Sequence, residues 1–378
     1  MATTPVDPRV IEAMTSCLGL NGHFGNPASI THAFGLNAQK RVNTARAQVA
    51  ALINAEPLDI VWTSGATEAD NLAIKGASAF YQRRGRHIIT MQTEHKAVLD
   101  TCHYLAAKNV DITYLKPQAN GLVDLQELAD SIRADTLLVS IMLVNNETGV
   151  IQDLARIAEI VKSKGVLLHT DAAQANGKIA IDVRKIPIDL MSLSAHKLYG
   201  PKGIGALYVR SQPQIHLEPL IHGGEHERGF RSGTLATHQI VGMGAAFELA
   251  QREMTQDTHH ASQLAQQFLA AISSTHFIQN AVSAPRVPHC LNLCFPAIRA
   301  EALMLSTPEL AYSSGSACNS ATVKPSHVLS AMGLSDALAD CCVRISLGRF
   351  TTSDDIHNAA EMLAQQVARL KHIVGDLS

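Results

Sequence analysis

The chain predicts an α/β fold, with a large three-layer unit built on a mostly parallel sheet and a smaller α+β unit after it. Three observations lead there. Short apolar runs alternate with helical patterns over roughly the first two thirds of the chain. Aromatics make up only 4% of its 378 residues, so the apolar mass is Ala, Leu, Ile and Val, which suits strands covered on both faces. Near residue 250 the alternation stops and a long polar-faced helical pattern begins.

In order, strands are expected at Ile60–Trp62, His87–Met91, Thr136–Val144, Gly165–Thr170, Ile188–Leu193 and Ile204–Val209. Helical patterns fall between them at Leu72–Arg83, Lys96–Lys108, Leu125–Arg133 and Ile157–Lys164. Right-handed crossovers would bring the strand C-termini to one edge, where ligands bind in such sheets. Further on come a helix over Gln251–Ser274, apolar runs at Cys290–Phe295 and Val343–Leu347, and a last helix over Ser353–Val374. The expected division is residues 7–253 for the large unit and 254–378, with 1–6, for the small one.

Composition excludes several classes. A 46% hydrophobic fraction with 17% charged residues fits a chain that buries a core and does not fit global disorder. Lys+Arg 31 against Asp+Glu 33 leaves −2, so nothing electrostatic calls for nucleic acid or an anionic membrane. No apolar run approaches the ~20 residues of a membrane helix. The first residues, Met1 to Arg9, lack the basic and apolar regions of a signal peptide. The seven cysteines are scattered, which fits free thiols in a reducing cytoplasm better than a disulfide framework. Cys290 and Cys294 have no second pair at zinc-site spacing.

Four segments carry chemistry. Ser64–Asn71 follows a strand and opens a helix; its unpaired N–H groups make either an anion site or a plain cap. Asp171 ends a strand, where a carboxylate can keep a pyridine nitrogen protonated, although an ordinary helix cap also uses Asp. Lys197 follows a later strand, ahead of the turn Tyr199-Gly200-Pro201, at a position where a buried amine needs a partner or a Schiff-base task. His95 ends a third strand, placed to stack on a ring or move protons near neutral pH. A phosphate-type turn, a strand-end Asp and a strand-end Lys together describe a pyridoxal-phosphate site.

Seven ordered motifs resemble the cysteine desulfurases of the NifS/IscS type, a branch of the class-V aminotransferases. They are Thr63–Glu68, Thr93–Lys96, Val144–Gly149, Ser194–Lys197, His222–Gly224, Arg231–Thr234 and Ser313–Cys318, and the likeness is greatest to the housekeeping IscS branch. The resemblance implies the fold-type I architecture of pyridoxal-phosphate transferases and pyridoxal 5′-phosphate as cofactor. Carried over residue by residue, Lys197 would hold the cofactor and later serve as base. Asp171 would face the ring nitrogen, Gln174 the ring hydroxyl, and Asn146 would line the ring pocket. His95 would stack on the ring and handle protons. Ala66, Thr67, Ser194 and His196 would bind the phosphate, and Thr234 would reach the phosphate of a neighbouring subunit in a homodimer. Arg344, with Asn26, would clamp the substrate carboxylate. Cys318 would take sulfur from L-cysteine as a persulfide, leaving L-alanine.

The resemblance further implies delivery to an iron–sulfur scaffold protein and other acceptors, including tRNA thiolation. Cys318 would then be a transient ligand of a 2Fe-2S cluster shared with the scaffold. A cytoplasmic location is expected, with no membrane and no direct nucleic-acid contact. Two termini depart from the family: residues ahead of Ala2-Thr3-Thr4 and a C-terminal extension are expected to be missing, which would weaken scaffold docking. Ala195 also stands where the family more often has Gly.

The residues around Cys318 support its role on their own. Ser313–Thr322 is almost all small residues, with little to bury. About a dozen such residues have a contour near 40 Å, so the tip of the loop has reach. Cys341 and Cys342 lie on an expected strand and read as packing residues. Two other functions share much of this pattern, a selenocysteine lyase and a catalytically inactive assembly subunit; intact Lys197, Asp171, His95 and Cys318 argue against the second.

Overall fold

The computed structural model describes residues 2–314 and 325–375. Its strands are β1 (Ile60–Thr63), β2 (His87–Met91), β3 (Asp111–Leu115), β4 (Thr136–Ser140), β5 (Leu167–Asp171), β6 (Leu190–Ser194), β7 (Gly205–Val209), β8 (Ile278–Gln279), β9 (Cys290–Cys294), β10 (Ser313–Ser314) and β11 (Cys342–Ser346). Its helices are α1 (Pro8–Thr15), α2 (Ala33–Leu52), α3 (Ala66–Phe80), α4 (Lys96–Ala106), α5 (Leu125–Ser131), α6 (Leu154–Ser163), α7 (Thr237–Ala271), α8 (Ala300–Ser306), α9 (His327–Ala331), α10 (Asp336–Ala339) and α11 (Ser353–Gly375).

The first seven strands form one sheet in the order β1-β7-β6-β5-β4-β2-β3. Neighbours from β6 to β3 are parallel, and β7 runs antiparallel to both β1 and β6. The segment joining β6 to β7 holds Lys197 and is too short to carry a crossover helix, so the chain must turn back on itself. Alternate strand residues feed two cores. Ile89, Val139, Leu168 and Met191 face one layer. Ile88, Leu138, Leu167 and Leu190 face the other, which α3 covers with Leu72, Ala73 and Ala77. The second sheet, β10-β11-β9-β8, is antiparallel throughout. It packs with the end of α7 and with α11 around Phe268, Phe295 and Leu363.

Several elements differ from the sequence expectation. α2 was not expected: its buried positions Gly35, Ala38, Val42, Ala45 and Val49 keep helical spacing but are small, so its apolar stripe is faint. Its smallness is used in packing, because a Cβ on Gly244 of α7 would lie 2.6 Å from Ala45. β3 was missed because it is a polar edge strand with only Leu115 buried. α3 starts at Ala66, ahead of Leu72, and α7 starts at Thr237 and runs unbroken through the expected division at 253/254. Cys294 and Cys342 face each other across β9 and β11 as a disulfide, where free thiols were expected. Cys17, Cys102, Cys290 and Cys341 are free and buried.

Candidate active site

The large sheet brings six of the expected site residues to one edge. Asp171 is the last residue of β5, and Ser194 the last of β6, with His196 and Lys197 following Ala195. His95 caps α4 after β2, and Asn146 lies in the turn after β4. Asp171 is buried, and its Oδ1 accepts from Ala173 N at 2.8 Å. Lys197 and Tyr199 line a cavity of about 710 Å³ between the two sheets, shared with Lys178 and His289.

Ala66 and Thr67 open α3. Among the described residues no side chain caps this helix, and its cap residue Gly65 has open space where a Cβ would be. β7 approaches so closely that a Cβ on Gly205 would lie 2.7 Å from Gly65. Beside this uncapped end, Ser194 Oγ is buried without a hydrogen-bond partner among the described residues. Free helix N–H groups and an orphan hydroxyl are the donor set a phosphate needs, so the residues present fit pyridoxal phosphate. His196 is half-buried, its Nδ1 3.1 Å from Thr3 Oγ1, and burial with the Lys197 charge lowers its pKa to about 4.

Thr234 is exposed at the end of a segment that the protein anchors firmly. Glu227 accepts two 2.7 Å bonds from Arg46 and one of 2.8 Å from Trp62 N. Arg231 Nε donates to Glu68 Oε1 at 2.9 Å, tying the same segment to the first turn of α3. Glu227→Ala should cost about 3–5 kcal/mol, because it leaves a mostly buried guanidinium and a strand N–H unpaired. Urea unfolding of the variant is the check; an unchanged midpoint would mean water replaces the carboxylate.

Asn146 and Arg344 are coupled. Arg344 is buried on β11 and donates through Nη1 to Asn146 O at 2.8 Å, while its Nε and Asn146 Oδ1 have no partner among the described residues. The turn is set by Asn145, whose Oδ1 accepts from Glu147 N and Thr148 N and whose Nδ2 donates to Thr93 O. Asn26 is exposed, with its Oδ1 engaged by Ala28 N, and among the described residues no hydrogen bond joins it to Arg344. Gln174 is buried and its Oε1 accepts from Lys178 Nζ at 3.1 Å. Cys318 lies outside the described residues.

His95 accepts from Ala97 N through Nδ1, at 3.1 Å. The neutral ring therefore carries its proton on Nε2. Burial lowers its pKa, and the Lys197 and His327 charges push the same way against Asp171. A neutral His95 should thus persist below the ordinary histidine range. The acid limb of kcat/KM is expected to fall below pH ~6.5, and His95→Gln should remove that limb; a limb unchanged in the variant would assign it elsewhere.

Sequence reasoning gave no role to Asp70, Glu94, His169 or Lys178, all close to this edge. Asp70 is one helical turn beyond Ala66 and His169 one strand period before Asp171, so spacing alone placed both near the site. Glu94 is fully buried, with Oε1 accepting from Met142 N, and burial raises its pKa well above the carboxylate range. Lys178 is lowered to about 7 by burial and by Lys197.

The sequence pattern of the aminotransferase class-V family matches residues 1–358. The chain is 54% identical over 371 residues to a cysteine desulfurase IscS of Vibrio vulnificus strain YJ016, covering 98% of this chain and 92% of that one. It is 55% identical over 374 residues, with the same coverage, to a cysteine desulfurase IscS of Methylococcus capsulatus. Among solved structures, a NifS-like protein superposes with a TM-score of 0.90 at 35% identity over 97% of both chains. A structure described as SspA in complex with cysteine gives 0.83 at 39% identity, over 93% of this chain and 98% of that one. The chain belongs to the class-V aminotransferase family, whose fold-type I architecture it shares and whose cofactor is pyridoxal phosphate. Within that family it is of the NifS/IscS cysteine desulfurase type.

Proposed function

We propose that the chain takes sulfur from L-cysteine at the Asp171–Lys197 site, releases L-alanine, and passes the sulfur from Cys318 to acceptors that include an iron–sulfur scaffold protein. The observation that carries this reading is the convergence of an uncapped helix end, a buried carboxylate and a lysine at one sheet edge. When bound, pyridoxal phosphate supplies an electron sink that lets a proton leave the substrate α-carbon. Ala66 and Thr67 N–H, Ser194 Oγ and His196 hold the phosphate, with Thr234 of a second copy completing it in a homodimer. Asp171 would face the ring nitrogen, Gln174 would meet the ring hydroxyl, and Asn146 would line the ring. Lys197 Nζ anchors the cofactor and then moves the α-proton. His95 would stack on the ring and could offer a proton at Nε2. Arg344, assisted by Asn26, binds the substrate carboxylate. Cys318 attacks the substrate sulfur: the S–S bond forms as the C–S bond breaks, and the electron pair stays with the carbon that becomes the alanine methyl.

In this reading residues 7–253 form the cofactor-binding unit and 254–378, with 1–6, the unit that carries Cys318. Cys318 also serves as a transient 2Fe-2S ligand when the scaffold docks, and the protein works in the cytoplasm. Among the described residues no helix is long and apolar enough to cross a membrane. The test is L-cysteine turnover with alanine and sulfide measured together under a reductant. Equal yields of both are expected; alanine without sulfide, or neither product, overturns the reading.

A further inference from the structure

Asp70 is fully buried on α3, on the face of the sheet that carries Leu167, His169 and Asp171. Neither carboxyl oxygen makes a well-formed hydrogen bond among the described residues, and the nearby Ser192 hydroxyl is the donor that acts on Asp70. His169 Nε2 stands 3.6 Å from Oδ1. That imidazole is itself fully buried and is held on both sides, Nδ1 2.8 Å from Ser140 Oγ and Nε2 3.0 Å from Ser192 Oγ. The ionisable groups acting on Asp70 include Asp171, Glu94 and Lys197, two of them carboxyls.

A buried carboxylate without a well-formed hydrogen bond is far costlier than the neutral acid. Burial first, and then the Asp171 charge, push Asp70 well above the carboxylate range. Burial pulls His169 down to about 4. Both side chains are therefore uncharged at neutral pH. Had a proton moved from Asp70 to His169, an imidazolium would lie one strand period from Asp171 and compete for its charge. Of those three groups Lys197 is the one cation, and the cofactor claims its amine in the reading above.

We propose that Asp70 and His169 form an uncharged pair beside Asp171 that denies it a resident cation, reserving its carboxylate for the ring nitrogen of the cofactor. This rests on the reading of the site given under the proposed function. The test compares Asp70→Asn, Asp70→Ala and Asp171→Asn, each loaded with pyridoxal phosphate labelled with 15N in the ring. If the neutral acid is what matters, Asp70→Ala lowers kcat about ten-fold or more at unchanged KM, and Asp70→Asn recovers all but about three-fold. The ring 15N shift should report a protonated nitrogen in wild type and Asp70→Asn, and partial loss in Asp70→Ala. The infrared difference between wild type and Asp70→Asn should show loss of a protonated-carboxyl band. Loss of an ionised-carboxylate band, or an Asn variant as impaired as Ala, overturns the proposal. If instead Asp171→Asn keeps the ring nitrogen protonated, the reading of the site fails, while the infrared result still decides the state of Asp70.

Discussion

Lys197→Ala should lose the visible absorption band of the loaded enzyme and lower L-cysteine turnover about 1,000-fold or more, since covalent anchoring and proton transfer both reside in that amine. The rival is Lys178, which lines the same cavity and whose pKa of about 7 leaves much of it neutral. Its amine, however, already donates to Gln174 O and to Gln174 Oε1, both at 3.1 Å. It is therefore held by the turn it sits in and should not replace Lys197. Reconstitution of the variant with pyridoxal phosphate, followed by spectra and alanine assay, is the check. A retained band with wild-type turnover would move the role to Lys178.

Cys318→Ala should bind cofactor and L-cysteine yet release no alanine above background. The six described cysteines cannot take its place: four are buried free thiols and two are joined to each other. Burial pushes the Cys102 thiol up to about 12, and raises Cys290 and Cys341 as well, so their thiolate fraction at neutral pH is negligible. Wild-type protein given cysteine without reductant should carry one extra sulfur on the peptide containing Cys318, read by mass spectrometry. Sulfur found on Cys341, or alanine made by the variant at the wild-type rate, would remove Cys318 from the reaction.

Much of this was legible in the sequence, for a physical reason. A parallel sheet puts its strand C-termini on one edge, so residues that end apolar runs must meet there; Asp171 and Lys197 were singled out that way, Ser194 only through the family resemblance. What stayed hidden lacks that punctuation. α2 packs through alanines and glycine, and β3 is a polar edge, so neither has a strong apolar period. Asp70 and His169 sit inside regular elements, where pattern assigns a face but not a protonation state. The pairing of Cys294 with Cys342 depends on strand register, which spacing along the chain does not specify.

α7 has a consequence for how the molecule comes apart. At 35 residues it is about 52 Å long. Ile240, Met243 and Phe247 at one end belong to the core of the large sheet, and Leu264, Ala265 and Phe268 at the other to the core of the small one. The two cores thus share a single rod where a loop would let each melt alone. Fraying either end removes a buried face from one core and the helical support of the other, so heat should unfold both in one cooperative transition. For the same reason, expressing the chain as two pieces cut at residue 253 would split that rod and leave neither fragment with a finished core.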